Sequence, residues 1–207
     1  MSAGLNREVI AQAGLRLLDE AGIDGVTMRT LAATLGVRAP TLYWHVKSKR
    51  ELLDAMADVI AADAIDGLRS RRPEESIENW LADMTRTFRA AMLRYRDGAR
   101  VFVGSLTPAA PAATELALKE LCAAGYSLEA GAQAVVTLLH YTTGSAIEEQ
   151  AHAGLDYPEN PYTSDVPDPQ RFPVSAKALS RMFNSNADAG FEAGLSIVLD
   201  GIRANRG

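Results

Sequence analysis

Apolar residues recur at helical spacing along almost the whole chain, interrupted by glycines, prolines and capping side chains. Val9, Ala13 and Leu17 share one face of a helix predicted over Asn6–Ala21, with Gly22 as its stop. Thr27 is placed to cap a second helix whose stripe is Leu31, Ala32 and Leu35. Gly36 can take the left-handed conformation that turns the chain, and Val37 fills the angle. A short helix over Ala39–His45 follows, with Pro40 in its first turn and Leu42 inward. Ser48-Lys49-Arg50-Glu51 reads as a capping box that starts a helix through Leu52, Met56 and Ile60 to Leu68. Arg69, Arg71 and Arg72 before Pro73 read as a polar linker in a solvated turn, with a second phosphate-binding patch as the alternative.

Ile77, Trp80, Leu81, Met84, Phe88 and Met92 lay out a helix over Ser76–Tyr95, broken by Arg96-Asp97-Gly98. A short apolar piece, Val101–Leu106, precedes helices over Ala112–Ala124 and Leu128–His152, the second capped by Ser127. Between Ala132 and Leu139 that helix is apolar on nearly every side, which predicts burial on more than one face. Residues 153–173 hold five prolines and read as a long loop. Helices over Val174–Phe183 and Ala187–Arg203 finish the chain, the last with Phe191, Leu195, Val198 and Ile202 at i, i+4, i+7, i+11. Gly190 and Gly194 let another helix approach beside that stripe. The pattern is that of an all-α protein.

Val26–Lys49 concentrates hydrogen-bonding chemistry. Two short helices meet at Gly36, and the second carries Thr41, Tyr43, Trp44 and His45, with Lys47 and Lys49 just beyond. Hydroxyl, phenol, indole and imidazole groups on a short helix flanked by lysines suit a major groove edged by phosphates, so this is a helix-turn-helix. The alternative, three core residues beneath a hairpin, fails because consecutive helical positions project about 100° apart. One of them, Tyr43 or Trp44, is expected to turn partly inward. The predicted DNA contacts are Thr27, Arg29, Arg38, Ala39, Pro40, Thr41, Tyr43, Trp44, His45 and Lys49.

Residues 5–60, above all TLYWHVKSKRELLDA, resemble the DNA-binding domain of the tetracycline repressor (TetR) family. The similarity continues more loosely through FRAAMLRYRDGARVF, LCAAGYSLE and FEAGLSIVLDGI. It implies a homodimer whose ligand-binding core controls the spacing of two heads on a double-stranded DNA operator. The corresponding division is a three-helix helix-turn-helix head over 1–48, a linking helix over 49–68, and a ligand-binding and dimerisation core over 69–207. The resemblance places the dimer in a four-helix bundle made by the two helices richest in surplus apolar surface, with Val135, Leu138, Phe191, Leu195, Val198 and Ile202 at the interface.

It also implies a pocket for a small-molecule effector formed by Ile65, Met84, Phe88, Phe102, Leu106, Leu139 and His140, with Glu148 contributed across the dimer. In the family's tetracycline-binding members the positions matching Ile65, Met84, Phe102 and Ala117 carry polar groups that hold the drug and its magnesium. All four are apolar here. His140 and a distant carboxylate make a poor magnesium site, so the expected effector is a largely apolar molecule, with no metal and no cofactor. For His140, a role against the ligand and a core histidine bonded to a backbone carbonyl stand side by side.

Charge and composition sharpen this picture. The net charge is −5, but residues 1–50 carry +3 and the remainder −8, a basic head on an acidic body. A single cysteine, Cys122, excludes an internal disulfide, and neither a membrane-length apolar run nor a secretory pattern appears, so the expected compartment is the cytoplasm. Two competing functions remain. One is an enzyme using His140 with Glu148, without the nucleophile elbow, metal spacing or phosphate loop that would support it. The other is a DNA-binding regulator indifferent to small molecules.

Overall fold

The computed structural model describes residues 4–105, 110–153, 168–182 and 186–206. Among them backbone hydrogen bonding closes ten helices and no strand. They are α1 (Arg7–Gly25), α2 (Met28–Thr34), α3 (Ala39–Leu42), α4 (Lys49–Asp66) and α5 (Ile77–Leu93), then α6 (Gly98–Phe102), α7 (Ala110–Ala123), α8 (Leu128–Ala153), α9 (Pro173–Met182) and α10 (Ala187–Ala204). The all-α architecture is the expected one. No helix among the described residues is long and apolar enough to cross a membrane. Leu106, and residues 154–167 of the proline-rich loop, lie outside the described residues.

Capping explains most of the boundaries. Asn6 Oδ1 accepts the Val9 N–H at 2.8 Å and starts α1. Thr27 Oγ1 accepts the Thr30 N–H while Thr30 Oγ1 accepts the Thr27 N–H, a reciprocal box that starts α2. Ser48 Oγ accepts the Glu51 N–H at 3.1 Å, but the Glu51 carboxylate reaches back to the Lys47 N–H at 2.8 Å. Gly36 adopts φ 65°, the left-handed turn its position requires.

Gly22 is a kink within α1 (φ 68°) rather than its end. The Ile23 N–H, released from the helical ladder there, donates to Asp97 Oδ2 at 3.0 Å. Next to it the Arg96 N–H donates to Asp19 Oδ1 at 2.8 Å. The turn between α5 and α6 therefore grips the end of α1. Asp97 itself stands at φ 55°, a conformation aspartate tolerates better than most residues.

α3 is shorter than predicted. After Leu42 the chain tightens, and the N–H groups of His45 and Val46 both donate to the Leu42 carbonyl at 2.9 Å. Four helical residues cannot persist alone; complete burial of Leu42 and Val46, about 3–5 kcal/mol together, anchors them. Those two side chains join Leu18, Leu31 and Met56 in a core that continues without a break into Met92, Val101 and Ala146 of the body. A second core gathers Trp80 and Leu81 of α5, Leu121 of α7, Leu138 of α8 and Phe191 and Leu195 of α10.

Two sequence expectations change here. The stretch from Arg69 leads into a turn with Arg72 exposed, as expected of a polar linker, but its other guanidiniums are paired rather than open to phosphate: Arg69 closes on both Glu75 oxygens at 2.6 Å, and Arg71 Nη1 donates to the Glu75 carbonyl at 2.6 Å. The α10 stripe faces the chain's own interior, with Phe191, Leu195 and Ile202 buried and Val198 half-buried. Helical spacing identifies an apolar face without saying which neighbour covers it. Tyr141 of α8 stacks on Phe191 with ring centroids 5.5 Å apart and donates its hydroxyl to the Phe191 carbonyl at 2.6 Å. Its hydroxyl occupies the space a Cβ would need at Gly194, so that glycine admits Tyr141, whereas Gly190 has no neighbour.

Candidate nucleic-acid interface and ligand pocket

With Leu42 and Val46 turned inward, the opposite side of α3 and its following turn is left to polar and aromatic groups. Trp44 is 85% exposed and Tyr43 48%, with Thr41 and Pro40 exposed beside them. The partly inward residue is His45, not Tyr43 or Trp44 as expected, because the tightened turn after Leu42 carries position 45 back toward the core. Arg29 and Arg38 are exposed and, among the described residues, form no ion pair. Ala39 is half-buried. Thr27 is half-buried too, its hydroxyl engaged in the α2 cap. Lys49 is exposed, and its Nζ donates to the Ile23 carbonyl at 3.2 Å, so it holds the end of α1 while its remaining donors face outward. One surface thus offers phenol, hydroxyl, indole and guanidinium groups on a rigidly anchored turn.

In the body, a cavity of about 90 Å³ lies between α4, α5, α7 and α8, closed at one side by Phe102. From α5 it is lined by Met84, Thr85 and Phe88, from α7 by Ala113, Thr114 and Ala117, and from α8 by Val135, Leu138, Leu139 and Thr142. Phe88 and Phe102 meet edge to face with centroids 6.2 Å apart. Four expected pocket residues, Met84, Phe88, Phe102 and Leu139, come together here. Ile65 is half-buried on α4 but does not reach the wall, and His140 and Glu148 are exposed on α8 away from it. The spacing explains His140: a wall made by positions 135, 138, 139 and 142 leaves the residue after 139 rotated off it by about 100°. Val135 and Leu138, expected at the dimer interface, line the cavity.

Thr85 and Thr142 are buried wall residues that the sequence reading passed over. Their signal was positional: each lies four residues beyond a core leucine, Leu81 or Leu138, on the same helical face. Their hydroxyls donate to those leucines' carbonyls, at 2.7 Å and 2.6 Å. Among the described residues no carboxylate or imidazole lines the cavity, and no cluster of three His, Cys, Asp or Glu side chains could hold a metal ion.

Outside the cavity, α5 is tied to its neighbours by charge. Arg86 bonds both oxygens of Glu192, which holds that carboxyl below its usual range. Arg89, nearly buried, donates to Glu149 at 2.5 Å and Asp188 at 2.8 Å and lies over the Phe191 ring. On the outer side of α8 and α10, a groove of about 340 Å³ runs past Ala130, Gln133, Thr137, Ile197 and Gly201, with Ile197 74% exposed.

Residues 10–56 match the model of the bacterial regulatory proteins, tetR family, and residues 71–206 match the tetracyclin repressor-like C-terminal domain. The chain belongs to the tetR family. Tetracycline repressor protein class D of Escherichia coli is 39% identical over 202 residues, covering 96% of this chain and 89% of that protein. A possible TetR family transcriptional regulator from Streptomyces coelicolor A3(2) superposes with a TM-score of 0.87 at 31% identity, covering 96% of this chain and 99% of its own. The class A TetR, solved in complex with 5a,6-anhydrotetracycline and magnesium, superposes with a TM-score of 0.70 at 32% identity, over 97% and 99% of the two chains. As a tetR-family member the chain is a ligand-responsive, DNA-binding transcriptional regulator. The family is one of bacterial regulatory proteins.

Proposed function

We propose that the chain is a cytoplasmic homodimeric repressor that leaves a palindromic operator when a small, neutral, apolar molecule enters the α5–α8 cavity. The observation that carries the reading is the exposed pair Tyr43 and Trp44 on a turn anchored by Leu42 and Val46 and flanked by the exposed Arg29 and Arg38. Large aromatic groups held open to water on a rigid support have a use in stacking and groove contact. Tyr43 and Thr41 read base edges, Trp44 and Pro40 pack on the backbone, and Arg29, Arg38 and Lys49 meet phosphates. Thr27, Ala39 and His45 shape the turn rather than touch bases.

Residues 1–48 act as the reader, 49–68 as the connecting helix and 69–207 as the receiver. Dimerisation uses the outer groove of α8 and α10 rather than the buried stripe, since Ile197 is the large apolar side chain left exposed beside it. Magnesium does not suit this cavity: a hard cation needs several oxygen ligands, and among the described residues the wall holds no carboxylate. An enzyme built on His140 and Glu148 loses support because both stand on the exposed side of α8.

Selection of a bound sequence from random duplexes, followed by fluorescence anisotropy, tests the regulator. A two-half-site operator bound with a steep salt dependence is expected; affinity equal for all duplexes would overturn it. Ile197→Asp should shift the chain to monomer in sedimentation and cut operator affinity strongly, while helical content is retained. A fully dimeric Ile197→Asp protein would move the interface elsewhere.

A further inference from the structure

The cavity's chemistry says more about the molecule it admits than that it is apolar. Among the described residues its wall is almost entirely carbon, and the only side-chain donors deep in it are the hydroxyls of Thr85 and Thr142. Both hydrogens are already committed, to the carbonyls of Leu81 at 2.7 Å and Leu138 at 2.6 Å. A threonine whose hydrogen bonds its own helix can offer a ligand only lone pairs. The remaining polar side chain, Thr114, is exposed. Beyond the first turn of α7, the backbone N–H groups of these segments are spent inside their helices. Among the described lining residues, then, the interior presents acceptors and no donor.

We propose that this pocket is donor-free by construction and selects a neutral aromatic molecule whose buried part is hydrocarbon, carrying at most a hydroxyl or N–H. Carbonyl, carboxylate and phenolate oxygens are kept out or left at the Thr114 rim. The inference rests on reading this cavity as the effector site. A buried hydroxyl can donate to Thr85 or Thr142; a buried carbonyl oxygen finds nothing to donate to it and loses its water. A carboxylate fares worse, because nothing cationic lines the wall among the described residues. Phe88 and Phe102, already edge to face, give a flat ring both a face and an edge to pack against. Volume restricts the frame. About 90 Å³ is smaller than the ~150 Å³ cavity that takes up benzene, so even one ring parts the walls slightly.

The test is a ligand-observed NMR titration of the full chain with four compounds on one frame: toluene, p-cresol, p-tolualdehyde and p-toluate. Toluene and p-cresol should bind, p-tolualdehyde about tenfold more weakly than p-cresol, and p-toluate not measurably. Ala117→Leu, which fills the cavity from α7, should abolish toluene binding while helical circular dichroism is retained. If Ala117→Leu unfolds, Leu139→Trp at the partly exposed rim blocks the same space without loading the core. Should p-tolualdehyde or p-toluate match p-cresol and also be lost on filling, the donor-free assignment is overturned while the cavity remains the binding site. Should none of the four bind, or toluene bind the filled variants like the parent, the cavity reading fails and this inference with it.

Discussion

In the body, Arg69 closes on Glu75, Arg86 on Glu192, Arg94 on Asp63, and Arg89 on both Glu149 and Asp188. On the head, Arg29 and Arg38 stand exposed with no carboxylate in ion-pair reach among the described residues. One residue type serves as internal fastening at one end and as unspent charge at the other. A cation facing its own carboxylate contributes little field at a distance, so the head attracts phosphate more strongly than the overall charge of −5 implies. What decides nucleic-acid affinity is which cations the fold leaves unpaired.

The largest test of that contrast is Arg89→Met. Removing the guanidinium strands Glu149 against a nearly buried site, and we expect a loss of about 2–3 kcal/mol in urea unfolding, at the low end because Asp188 is mostly exposed. A loss below about 0.5 kcal/mol, the range of a surface pair, would mean that this arginine is not a fastening. Tyr43→Ala should cost about 1–3 kcal/mol on the selected operator and far less on random duplex, with the unfolding midpoint unchanged. Equal losses on both duplexes would remove its base-reading role. For Arg38→Ala the expectation is uniform weakening on every sequence and a salt slope flatter by about one unit. If its unfolding free energy fell as for Arg89, the two ends would not differ in kind.

The smallest effect is a pH dependence. The Arg69 guanidinium, followed by the Arg72 N–H, lowers the Glu75 carboxyl from 4.5 to about 2. A depressed carboxylate stabilises fully above its unfolded value and loses that contribution as pH falls through the folded one. Parent and Glu75→Gln should therefore differ in thermal midpoint above pH 4.5 and converge as pH drops toward about 2. Convergence already complete at pH 4 would contradict the pairing.

The head was the more legible half because its signals are local. A cap at Thr27, a glycine at 36 and a cap at Ser48 act within four residues and hold in the structure, although Glu51 closes on the Lys47 N–H rather than completing a box with Ser48. Val46 escaped notice because it follows the helix and is buried by the tightened turn, which no periodicity announces. The body is governed by contacts between distant segments. α8 is apolar on several faces, so its sequence could not say which meets the cavity and which lies open, and Leu138 and His140 were each given the other side. Thr85 and Thr142 were hidden by their type, since a threonine bonded to its own helix behaves as a wall residue.

The grip of Asp97 and Asp19 on the end of α1 has a mechanical consequence. A head suspended from α4 alone could swivel about that helix and also swing, and its mate on the operator would have to correct both motions. A second attachment, made at Ile23 and Arg96, lies away from the first and removes the swivel. Turning the head about α4 would have to break both of these hydrogen bonds.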